Sequence, residues 1–245
     1  MEENRNQKIA LLVDGDNAQA KFLKPILEEV SKYGKATIRR IYGDWTTSQM
    51  NSWKDSLNTL SFTPIQKFSY TTGKNSTDSA LIIDAMDILH SQIADGFCIV
   101  SSDSDYTGLA KRIREEGMFV MGIGVKTTPN AFVQSCEIFT FYENILSDGP
   151  AGSEKKPVHT KKAEPRPVGM DLTLVNRAYD MSSEEDSGAL VSTLGYNIRK
   201  IDPSFDHRSF GFKTLTALFE SLTEYKVSKK EIRGFSQPFV TRKRG

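Results

Sequence analysis

Apolar runs and amphipathic stretches alternate from residue 9 to residue 143. That rhythm restricts the fold more than any other feature of this 245-residue chain. "IALLVD" (9–14), "ATIRRIYGDW" (36–45), "FTPIQKFSY" (62–70), "GFCIVSS" (96–102), "MFVMGIGV" (118–125) and "IFTFYE" (138–143) read as strands. Between them, residues 20–34, 48–60, 76–93, 106–117 and a short "PNAFVQSC" read as helices. The first places Leu23, Ile26, Leu27 and Val30 on one face and stops at Gly34; Pro25 falls where a helix tolerates it. The third places Leu81, Ala85, Ile88 and Leu89 inward. Alternation at these lengths implies an α/β fold with a parallel sheet and helices on both faces. Pro64 puts its strand near an edge.

The rhythm stops at "SDGPAGSEKKPVHTKKAEPRPVG" (147–169), with four prolines, three glycines and no aromatic residue. Such a stretch cannot bury enough apolar surface to order itself. It divides the chain into a first domain (1–147), a flexible basic linker (148–168) and a second domain (169–245). In the second domain, residues 172–181, 187–201 and 209–222 read as helices. "YKVSKKEIR" and "QPFVTRKR" read as a hairpin. Three helices and a hairpin in about 75 residues imply a winged helix.

Charge is split unevenly. Residues 1–147 carry 15 Lys and Arg against 18 Asp and Glu, and the remainder 17 against 13. A basic second half permits a nucleic-acid partner without requiring one. No run is long enough to span a membrane, and the N-terminus lacks the apolar core of a signal peptide. Cys98 and Cys136 lie in apolar contexts without metal-ligand spacing, which fits buried thiols in a reducing, cytoplasmic setting. His90, His159 and His207 are scattered, which argues against a zinc site.

The first apolar run, "LLVDGDN", ends in two carboxylates. Asp14 and Asp16 close the first strand, Asp103 and Asp105 follow the fourth, and Asp78 opens the third helix. Strand ends and helix starts of an open parallel sheet share one rim, where such folds place their sites. Crowded anions repel and are costly to desolvate, and a divalent cation relieves both. Carboxylates without His or Cys select a hard ion, Mg²⁺ or Mn²⁺, and metal-dependent phosphodiester cleavage fits. Helix capping competes for these residues: Asp16 or Asn17 before Ala18, and Asp103 or Asp105 before Tyr106.

"LLVDGDN", "GKNSTDSALIIDAMDIL" and "VSSDSDYTGLAKRIREEG", followed by "GIG", resemble the NYN domain of the PIN-like nuclease superfamily, including its LabA group, over about residues 8–146. The resemblance implies strand order 3-2-1-4-5 and Mg²⁺- or Mn²⁺-dependent ribonuclease activity. It assigns Asp14, Asp78, Asp103 and Asp105 as metal ligands and catalytic residues. Asn17 would orient a ligand or water, and Ser101 and Ser102 match small hydroxyl positions. Asp16 is an outer-shell candidate, and Lys74 a candidate for substrate phosphate. Asp84 also matches the pattern, but six residues turn a helix by about 600°, so it cannot share Asp78's outlook. It is expected behind the site or on a solvated face.

"LGYNIRKIDPSFDHRSFGFKTLTALFESL" with the basic hairpin resembles an OST-HTH/LOTUS domain, a winged-helix module linked to RNA binding and, in some members, to a protein partner. Candidate RNA contacts are Lys213, Lys229, Lys230 and Arg233, with Lys226, Arg242, Lys243 and Arg244 nearby.

Three readings follow. The lead is a metal-dependent ribonuclease with an attached RNA-binding module. The second is an RNA-binding adaptor with an inactive nuclease-like domain. The third is a HAD-type phosphatase, because "VDGDN" imitates its acidic motif; that family wants Thr or Val where Ala18 stands.

Overall fold

The computed structural model describes residues 7–68, 76–147, 169–183, 188–232 and 234–243. The chain divides into two compact units, Met1–Gly149 and Pro150–Gly245. Residues 148–168, read above as a linker, lie outside the described residues.

The first unit is built around β1 (Lys8–Asp14). It pairs in parallel with β2 (Lys35–Gly43) on one side and β4 (Gly96–Val100) on the other. β3 (Thr63–Gln66) lies outside β2 at the edge, and its Pro64 costs no ladder bond that an inner strand would need. β5 (Phe119–Gly124) and β6 (Ile138–Phe141) complete the other side. The order is β3-β2-β1-β4-β5-β6, as expected for the first five strands, with β6 added beyond β5.

Every residue of β1 from Ile9 to Asp14 is inaccessible to solvent. Its side chains alternate between two cores. Ala10 and Leu12 join Leu81, Ala85, Ile88 and Leu89 of α3 (Ser76–Ser91), with Leu109, Ala110 and Ile113 of α4 (Thr107–Glu115). Ile9, Leu11 and Val13 face Leu23, Ile26 and Val30 of α1 (Leu23–Val30), and Leu57 of α2 (Lys54–Leu60). Burial on both faces is why the run is continuously apolar; each buried Leu, Ile or Val contributes about 1.5–3 kcal/mol. α5 (Asn130–Ser135) and α6 (Tyr142–Ser147) complete the two layers. Cys136 belongs to the first core and Cys98 to the second; both are free.

Several helices are shorter than expected. Residues 20–22 and 48–53 wind as 3₁₀ turns before α1 and α2 begin. Pro25 then stands in the first turn of α1, where its missing N–H is no loss. In the second unit, α7 (Leu172–Asp180) and α8 (Val191–Ile201) follow the expectation. Residues 189–190, however, form a short strand, β7, rather than the start of a helix. Gly188 stands at φ +89°, and a Cβ there would meet a Phe239 ring carbon at 2.4 Å. That left-handed residue turns the chain into extended pairing with β9 (Phe235–Arg242). The helix expected over 209–222 splits at Gly211 (φ +82°), leaving a 3₁₀ turn at 207–210 and α9 (Leu215–Ser221). β8 (Tyr225–Ile232) pairs antiparallel with β9 to form the wing, giving a sheet ordered β7-β9-β8.

Candidate metal centre

β1 and β4 end side by side, and the acidic residues gather where they end. Asp14 is the last residue of β1 and is wholly buried. Gly15 follows because the chain must pass close to β2: a Cβ there would lie 2.6 Å from the Tyr42 carbonyl oxygen, which accepts the Gly15 N–H at 2.8 Å. The turn brings two donors to the Asp14 carboxylate, and the end of β4 brings a third. Asn17 Nδ2 and Ser101 Oγ donate to Oδ2 at 2.7 and 2.9 Å, and the Asp16 N–H donates to Oδ1 at 3.2 Å. Burial pushes the Asp14 carboxyl pKa up, against the pull of Asn17 and Ser101.

Ser101 carries the link onward. Its Oγ accepts the Asp103 N–H at 3.1 Å, and Asp103 Oδ1 accepts the Asp105 N–H at 2.9 Å. Asp103 thus caps the 3₁₀ turn Ser104–Tyr106 that leads into α4. The capping alternative holds for Asp103 in part, and its other oxygen remains for a second role. Asp16 and Asn17 are exposed, and the cap position of the 3₁₀ turn that follows is Gln19, which makes no side-chain cap bond. Ser102 Oγ accepts the Val125 N–H at 3.0 Å and fastens β4 to the loop after β5.

Asp78 enters from the first turn of α3, largely buried. One carboxylate oxygen each of Asp78, Asp103 and Asp105 lies within 4.8 Å of the others, a group able to hold a metal ion. Asp78 is buried, Asp103 half-buried and Asp105 exposed, so the group opens to solvent on the Asp105 side. Burial, and then repulsion from Asp14, Asp103 and Asp105, raises the Asp78 pKa against the pull of Tyr106. Asp14 is not among the three; Ser101 links it to Asp103, and its charge acts on Asp78 and Tyr106.

Reading the residues missed Tyr106. Its hydroxyl is buried and donates to Asp78 Oδ1 at 2.7 Å. Burial and the nearby Asp14 and Asp78 push its pKa far up, so it stays a donor. Its place immediately after "SDSD" was the available signal. Asp84 turns away from the metal group. Its carboxylate accepts hydrogen bonds from Arg40 and from the Tyr42 hydroxyl, tying α3 to β2 beside the Asp14–Tyr42 register pair. Lys74 lies outside the described residues.

Residues 8–145, more than half of the chain, match the NYN domain. The chain belongs to the NYN-domain family. The NYN domain is part of a nuclease superfamily, and this membership displaces the phosphatase reading. Residues 173–236 match the OST-HTH/LOTUS domain. A protein of unknown function from Vibrio parahaemolyticus has a similar fold, with a TM-score of 0.49 at 19% identity over 59% of this chain and 98% of that one. An uncharacterized protein from Nitrosomonas europaea gives 0.30 at 21% identity over 38% and 90%. No curated protein matches the chain. No described helix is long and apolar enough to cross a membrane.

In the OST-HTH/LOTUS domain, Lys213, Lys229 and Lys230 are exposed, and Arg233 lies outside the described residues. Arg242 serves the domain itself. Its guanidinium sits 4.7 Å from the Tyr179 ring centroid, and Nη2 donates to Asp180 Oδ1 at 2.8 Å, fastening β9 to α7.

Proposed function

We propose that the NYN domain, residues 1–147, is a Mg²⁺- or Mn²⁺-dependent ribonuclease, and that residues 169–245, joined through the basic segment 148–168, hold the RNA. The observation that carries this is the convergence of Asp78, Asp103 and Asp105 at the carboxyl rim of a parallel sheet in a nuclease-family domain. The residues fit a hard divalent ion. All three offer oxygen, none offers nitrogen or sulfur, and Asp78 is buried beside the like charges of Asp14, Asp103 and Asp105. When bound, such an ion supplies positive charge to phosphate oxygens and lowers the pKa of a coordinated water.

The chain's own residues set the geometry. Tyr106 holds Asp78, the Asp14–Ser101 pair holds the backbone at Asp103, and the Asp105 N–H holds the Asp103 carboxylate. Asp14 acts in this scheme by fixing Ser101 and by its charge. Asp16 and Asn17 frame the rim on the β1 side, and Asp84 steadies α3. A cytoplasmic setting is part of the proposal and accords with two free buried thiols.

Full-length chain incubated with end-labelled single-stranded RNA tests this. Cleavage should require Mg²⁺ or Mn²⁺, stop with chelator and be lost in Asp103→Asn. The alternative is an RNA-binding adaptor with an inactive nuclease-like domain. RNA binding without divalent-dependent cleavage would establish that reading instead.

A further inference from the structure

The wing has two chemically different faces. In an antiparallel pair, residues opposite each other share a face and alternate along each strand. Tyr225, Val227, Lys229 and Glu231 of β8 therefore share the core-side face with Val240 and Arg242. The outer face carries Lys226, Ser228, Lys230 and Ile232, opposite Thr241, Phe239, Gln237 and Phe235. Lys229 thus has Glu231 two residues away on its own face, while no hairpin position on the outer face is acidic. Near the tip, Ile232 pairs directly with Phe235, whose ring is 71% exposed. The Lys230 ammonium lies over the Phe239 ring, 4.5 Å from its centroid, and the lysine remains exposed.

An exposed Phe alone means little. Here, among the described positions of β8 and β9, it tops a face that carries Lys226 and Lys230 and no carboxylate; Glu224 stands just before β8, opposite Lys243. A protein interface needs about 800 Å² from each partner, and one Phe with one Ile is far short of an apolar centre for that. A nucleobase needs one ring. Aromatic rings beside cations that follow a backbone are how unpaired nucleic acid is held.

We propose that the outer face of the wing binds single-stranded RNA, with one unpaired base stacked on Phe235 and phosphates held by Lys226 and Lys230. This rests on the RNA-binding reading of the second unit and assigns it a surface. The two lysines stand four residues apart on one strand, about 13 Å. The face discriminates unpaired from paired RNA, because a duplex hides the faces of its bases.

Fluorescence anisotropy tests it with the full-length chain, in chelator, on a mixed 20-nucleotide single strand and on its duplex. Phe235→Ala should weaken single-strand binding about ten-fold, in the range of one base stack. It should leave duplex affinity unchanged, and Phe235→Trp should restore single-strand affinity. The double variant Lys226→Gln/Lys230→Met keeps a stem over Phe239. It should lower the slope of log affinity against log salt by about 1.4 for the two lost contacts. Wild-type binding that Phe235→Ala leaves unchanged would overturn the wing proposal and leave the domain-level reading standing. A wild-type chain that binds no RNA would overturn both. Loss of single-strand and duplex binding together in Phe235→Ala would also overturn it, since stacking cannot act on a closed duplex.

Discussion

Asp14 and Ser101 stand 87 residues apart in the chain and share a hydrogen bond, whereas Lys229 and Lys230 are neighbours in the chain and face opposite sides of the wing. The acidic rim and the basic wing thus reverse the relation between order along the chain and place in space. In the rim, parallel pairing sets the ends of β1 and β4 side by side, and α3 delivers Asp78 to the same edge. In the wing, a strand's two-residue period separates adjacent cations. A run of like charges is therefore poor evidence of a shared surface on a strand. Scattered aspartates at strand ends of a parallel sheet are better evidence of one.

The largest expected effect tests the rim. Asp103→Asn should reduce divalent-dependent RNA cleavage by on the order of 100-fold or more, because a charged ligand is lost. The fold should survive, since Asn caps about as well as Asp and can still accept the Asp105 N–H. Cleavage rates read beside a thermal melt check both halves. A variant that unfolds would mean that the cap, rather than the charge, is what the position needs.

Next comes the tie behind the rim. Asp84→Asn weakens the acceptor shared by Arg40 and Tyr42. The group is partly exposed, so the cost in a denaturant melt should be about 1 kcal/mol, with metal affinity falling less than in Asp103→Asn. An equal loss of metal affinity in both variants would erase the distinction between holding α3 and holding the ion.

The two units should respond to acid with opposite signs. Asp14 and Asp78 have raised pKa values, chiefly from burial. Their contribution to stability is full below the ordinary carboxylate range, about 4, and is lost as pH rises through the raised values. In the second unit, burial would raise Asp206, but Arg208 outweighs it through hydrogen bonds and charge. Its contribution is present above about 4 and lost as pH falls through the lowered value. Burial also lowers the His207 pKa, so the second unit starts losing stability as pH falls below about 6.5. Amide hydrogen exchange on the metal-free full chain, taken from pH 7 down to the ordinary carboxylate range at about 4, should show the first unit gaining protection and the second losing it. Each change should be on the order of 1 kcal/mol or less. Changes of the same sign would break the comparison.

The smallest effect concerns the wing's other face. Lys229→Ala should alter RNA affinity and its salt slope little, since Glu231 shares that face. A loss equal to that of Lys226→Gln/Lys230→Met would return both faces to the RNA surface.

Much of this was legible in the chain. The continuous apolar run at 9–13 can be satisfied only by burial on both faces, which places β1 at the centre of the sheet. The spacing of Leu81, Ala85, Ile88 and Leu89 placed α3 against it with Asp78 at its start. Local period and burial pattern carry that information because each element buries its own stripe whatever its neighbours are. The roles inside the rim were not legible. That Asp14 accepts the Ser101 hydroxyl depends on Ser101 arriving from another strand, and Tyr106 reaches Asp78 only after α3 and α4 pack on one face. Asp84's turn toward Arg40 and Tyr42 has the same origin. Local pattern, then, settled the order of elements and the residues that reach the rim. The assignment of hydrogen bonds among those residues, and the division of the wing's lysines, were decided by tertiary structure, because a hydrogen bond depends on a partner's position to a few tenths of an ångström.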